Sequence, residues 1–130
     1  MATGIVTEAG DAICSDLVSG LGGTVPKYQA WGTGTTAFAK SSTALSAETT
    51  TTNDPGYARV AATISRTTTT YTDDTVKFVA TLTAGAALAI TEAALFDAAT
   101  AGNCFFGASF SAINLATGDT IQFTNEVAFD

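Results

Sequence analysis

Two hydrophobic periods divide this chain, and the change between them falls near Thr24. From Thr7 to Leu21 the apolar residues Ala9, Ile13, Cys14, Leu17, Val18 and Leu21 recur near i, i+4 and i+8. That spacing lays one stripe along a helix. Thr7 suits the N-cap, and Glu8 and Asp11 put negative charge where the helix dipole favours it. Gly20, Gly22 and Gly23 end the element, as glycine does at helix C-termini. The spacing therefore predicts a helix over 7–21, preceded by an arm of residues 1–6.

Beyond Thr24 the period is two. In Thr75–Thr83 the residues Val76, Phe78, Ala80 and Leu82 share one face, while Thr75, Lys77, Thr81 and Thr83 take the other. This is the alternation of a half-buried strand. Tyr57–Ser65 repeats it, with Val60, Ala62 and Ile64 opposite Arg59. Thr120–Phe129 does so again, with Ile121, Phe123, Val127 and Phe129 on one side. Cys104–Phe110 is apolar on both sides and predicts a central strand. Lys27–Gly32 and Leu88–Phe96 read as further strands, although the alanines of the latter also suit a helix. Asp73-Asp74, Ala84-Gly85, Ala101-Gly102-Asn103 and Gly118-Asp119 supply the turns between them. Strands at this spacing, with no parallel βαβ pattern, predict a mainly β fold: one antiparallel β-sandwich domain over 1–130 with a single N-terminal α-helix.

Composition sharpens this picture. Hydrophobic residues make up 46% of the chain, but 25 of them are Ala, and Thr is equally abundant at 25. Such a core buries little area per residue, so contacts with other subunits would add to its stability. Thr33–Pro55 is biased towards Thr, Ser and Gly and reads as a long loop excursion with little core, suited to touching a neighbour. The net charge of −7, with five scattered Lys and Arg, argues against nucleic acid as a partner. The chain has neither a secretory signal nor an apolar run of membrane-spanning length, so synthesis in a cytosol is expected. Cys14 and Cys104 then read as free, buried small hydrophobes.

Catalytic chemistry finds little footing. The chain has no histidine, hence no usual general base and no Ser-His or Cys-His pair. The cysteines lack zinc spacing. Gly32-Thr33-Gly34-Thr35-Thr36 lacks the P-loop lysine and reads as a flexible turn. Asp73-Asp74 with Asp97 or Asp119 would be a calcium site of no known loop spacing, and a solvated turn is the better reading. Glu92, in the otherwise apolar Ile90–Phe96, needs a partner, for which Arg59 or Arg66 are the candidates. Trp31, Tyr28 and Tyr57 suit a core or interface better than a stacking platform. The expectation is a non-enzyme that takes no cofactor and no metal.

The segments Met1–Gly10, Tyr28–Ala37, Ser42–Glu48, Arg59–Ala61, Thr75–Thr83, Ala89–Phe96, Phe110–Asn114 and Gly118–Ile121 occur in an order and spacing that resembles a family of small tailed-bacteriophage virion structural proteins. The resemblance spans nearly the whole chain and carries over no catalytic residue. It implies a capsid decoration (cement) protein, made in the bacterial host cytoplasm and carried on the virion's capsid surface. There, copies, plausibly homotrimers, would bind the major capsid protein. The alternative is a tail, neck or fibre module. On either reading the arm and the excursion are the expected contacts, with Thr3, Ile5, Trp31, Thr35, Thr36 and Phe38 as interface candidates.

Overall fold

A computed structural model describes residues 2–129. It contains two antiparallel sheets and one helix, the mainly β architecture expected. In chain order the elements are β1 (Ile5–Val6), α1 (Glu8–Ser19), β2 (Tyr28–Gly32), β3 (Val60–Ala61) and β4 (Thr63–Thr67). They continue with β5 (Thr75–Thr83), β6 (Leu88–Phe96), β7 (Cys104–Leu115) and β8 (Thr120–Ala128). One sheet has the order β1-β7-β6-β2-β3 and the other β4-β5-β8.

The alternating residues account for the inner layer. Phe78, Ala80 and Leu82 of β5 are buried, with Trp31, Ile90, Leu95 and Phe105 from the larger sheet in the same cluster. Trp31 meets Phe123 edge-on with ring centroids 6.4 Å apart, and Phe78 lies 6.1 Å from Phe105. Gln29 and Asn125 join the sheets through a polar contact, the Asn125 amide donating to Gln29 Oε1 at 2.7 Å. The one segment expected over Tyr57–Ser65 is two strands. The chain leaves the larger sheet after Ala61 and enters the smaller one at Thr63, with Ala62 buried between. Periodicity cannot reveal that break, because Val60, Ala62 and Ile64 keep the alternation across it.

The outer face of the larger sheet is also covered. Ala30, Ala94, Phe96 and Cys104 form a second buried cluster with Leu45, flanked by Tyr28 and Phe38. Leu45 and Phe38 belong to the 33–55 excursion, so that segment is a third layer packed on its own sheet. The expectation of an excursion with little core is corrected. Two apolar anchors are enough, because the sheet beneath offers small alanines that let them seat deeply. Burial on both faces also explains why β6 is a strand despite its alanines, since a doubly covered strand is apolar throughout.

At the other end, α1 has Thr7 as N-cap, its hydroxyl accepting from Gly10 N at 2.9 Å, and Gly20 as a left-handed C-cap. Only Gly10 and Ile13 of the helix are buried. Leu17 is 40% exposed and Val18 90%, and Leu21 beyond the helix is 86% exposed. The stripe read from the sequence exists, yet its C-terminal half lies on nothing in this chain.

Candidate interaction surfaces

Three acidic side chains hold the excursion down. Glu92, 2% exposed on β6, accepts from Ser46 N and Oγ at 3.1 Å and from Ala47 N at 2.9 Å. Its partners are therefore amide and hydroxyl groups of the excursion, which corrects the arginine expected for it. A carboxylate can accept several such bonds, and that satisfies it without a counter-ion. Gly34 is needed here for close approach: a Cβ on it would sit 2.6 Å from Glu92 Oε1. Gly32-Thr33-Gly34 is thus a packing surface in place of the flexible turn expected. Gly32 bridges Glu48 in an antiparallel pair, and Thr33 N donates to Ala47 O.

Arg59 instead grips Glu48 with two parallel bonds of 2.8 Å, through Nε and Nη2, and lies 3.7 Å from the centre of the Phe96 ring. Tyr57 also donates to Glu48, at 2.7 Å. Burial by itself would raise the Glu48 carboxyl, but Arg59 and Tyr57 outweigh it and hold the group below its usual range. The Tyr57 hydroxyl is pushed up, by burial first and then by the carboxylate it serves. Asp54, wholly buried, accepts from Trp31 Nε1 at 2.9 Å and from Gly85 N at 2.7 Å. Arg66 pairs loosely with Asp73 at 3.8 Å.

The carboxylates considered for calcium serve separate turns. Asp74 accepts from the backbone N–H groups of Tyr71, Thr69 and Thr70, which hold it well below the usual carboxylate range. Asp97 accepts from Asn103, and Asp119 from Ala116 N. Glu48 and Asp74 both have folded values below their unfolded ones, so the stabilisation they give is complete above the ordinary carboxylate range. It is lost as pH falls through that range, below about pH 4. The thermal midpoint is expected to be flat near neutrality and to drop below about pH 4. Asp74→Asn should lower the midpoint at pH 7 and flatten the acid limb. An acid limb unchanged by Asp74→Asn would show that the loop carboxylate contributes nothing to it.

The sequence candidates fall into two groups. Thr3, Thr35 and Thr36 are exposed. Trp31 is 0% exposed, which removes it as an interface residue; it is core, held by Asp54 beneath and Phe123 across the sheets. Ile5 is half-buried in β1, opposite Gly107. The half-buried Phe38 has its ring over Gly107, and its N–H donates to Ser109 Oγ at 2.6 Å. Sequence reasoning missed the largest open apolar feature. It is a groove of about 230 Å³ between the free half of α1 and the ends of β4, β5 and β8. Leu17, Val18, Val25, Ile64 and Phe129 line it and are all exposed. The unpaired end of the helical stripe was its one signal.

Cys14 lines this groove and Cys104 lies in the outer cluster; both are free thiols. Burial, followed by the Asp11 charge, raises Cys14, and burial pushes Cys104 up to about 12. The thiolate is the reactive form. A thiol reagent at neutral pH should therefore label Cys14 slowly and Cys104 only after denaturant is added. Equal labelling of both in the native protein would contradict this placement.

A sandwich whose carboxylates bind its own excursion and turns, and whose open surfaces are an apolar groove and sheet edges, is a structural domain built to pack against other chains. Residues 19–127 match the family described as Podophage GP4 fiber I protein gp80, and with most of its length covered the chain belongs to that family. This agrees with the resemblance to small tailed-phage virion structural proteins. Neither the curated proteins nor the solved structures give a match.

Proposed function

We propose that this chain is a non-enzymatic subunit of a tailed-phage fibre or neighbouring tail appendage. The observation that carries the reading is the family match over residues 19–127, whose description names a fibre protein. It favours the tail, neck or fibre alternative over capsid decoration. The groove and the exposed end of α1 support an assembly role, since contiguous apolar surface of this kind marks association sites. The engagement of Glu92, Asp54, Glu48 and Asp74 in local bonds supports a role without catalysis. Quantitative mass spectrometry of purified virions tests it through copy number. A fibre subunit should be present at a small fraction of the major capsid protein; a ratio approaching one would favour decoration.

A further inference from the structure

We infer that β8 is an assembly edge, where a second copy of this chain adds its own β8 antiparallel to form one continuous six-stranded sheet. The inference is independent of where in the virion the chain resides. β8 pairs with β5 over nine successive residues without a register shift, and it has no neighbour on its other side. Every second residue of such an edge presents an unpaired N–H and C=O, a template for another strand. The burial of its side chains shows that the edge is open. On β5 the inward residues Phe78, Ala80 and Leu82 are 3–5% exposed, whereas Ile121, Phe123, Asn125 and Val127, inward on β8, are only half-buried.

The opposite edge of the same sheet is guarded. β4 has five residues, and its Arg66, opposite Val76, shares the face of Ile64 and Phe78. A charge directed inward on a short strand discourages pairing with another chain. β8 carries no proline, glycine or lysine, and its single charge is Glu126.

Self-pairing has one register that uses all nine residues, centred on Thr124. It sets Phe123 opposite Asn125 of the partner subunit and Ile121 opposite Val127 of the partner subunit, closing the half-open inner layer. It also sets Glu126 opposite Gln122 of the partner subunit, so the acidic side chains do not face each other. Such a patch is self-complementary about a two-fold axis, the condition for a closed dimer.

The test uses the full chain with Cys14→Ser. Thr124→Cys places two thiols across the two-fold at a Cα separation of about 4.5–5.5 Å, within disulfide reach. Mild oxidation should give a covalent dimer, while Thr63→Cys on β4 should not. Gln122→Lys introduces an ammonium opposite each Glu126 and should tighten the dimer about tenfold, while Gln122→Glu should weaken it about tenfold. Neither change touches the core, and circular dichroism will verify folding. A dimer mass by sedimentation with these opposite shifts supports the inference. A monomer at all concentrations, a trimer mass, equal cross-linking of the two cysteine variants, or no response to the Gln122 charge swap overturns it.

Discussion

Trp31→Ala is expected to cost on the order of 3–5 kcal/mol, enough to unfold most of the population of a domain with so light a core. The indole is wholly buried, contacts Phe123 of the facing sheet and donates to Asp54. Truncation opens a cavity between the sheets and leaves a buried carboxylate with only the Gly85 amide as donor among its described partners. Trp31→Phe separates the two effects. It keeps most of the ring volume and loses the donor, so about 1–3 kcal/mol is expected. Urea unfolding followed by circular dichroism measures both. A Trp31→Ala midpoint within error of the parent would contradict the placement of this residue at the centre of the core.

Glu92→Ala should cost a similar amount, about 3–5 kcal/mol, by a different route. Three bonds to a charged acceptor are lost together, and the amides of Ser46 and Ala47 lose their partner. The consequence is local. The 33–55 layer should lift from the outer cluster while the inner layer persists. Limited proteolysis should then cut within 33–55 in Glu92→Ala at protease levels that leave the parent intact. Glu92→Gln tests the charge itself. An amide presents N–H groups towards donors, so it should restore only part of the protection. Full protection in Glu92→Ala would mean that Leu45 and Phe38 suffice to hold the layer.

The strands legible in the sequence are those with one wet face. β5 and β8 alternate cleanly because one side meets core and the other meets water. β6 is covered on both faces, and its alanines blurred the distinction from helix. The transfer between sheets at Ala62 left no trace, since the alternation runs through it unbroken. The site was less legible for a physical reason. The excursion is fastened by bonds between residues far apart in sequence, Glu92 to Ser46 and Arg59 to Ala98 O and Ala101 O among them. A carboxylate that accepts backbone amides leaves no residue-type signature at its partner. Glu92 stood out as a buried acid in need of a partner, but which one supplied it depended on the fold. The apolar stripe of α1 was visible; that half of it stays uncovered required the sheets to be in place.

Gold-labelled antibody imaging of intact virions tests the central claim most directly, using antibody raised against the folded chain. The account predicts label confined to the tail or its fibres, a few particles per virion. Label spread over the head lattice would contradict the fibre reading and restore decoration, and no label on intact, antibody-accessible virions would contradict a role in the external virion altogether.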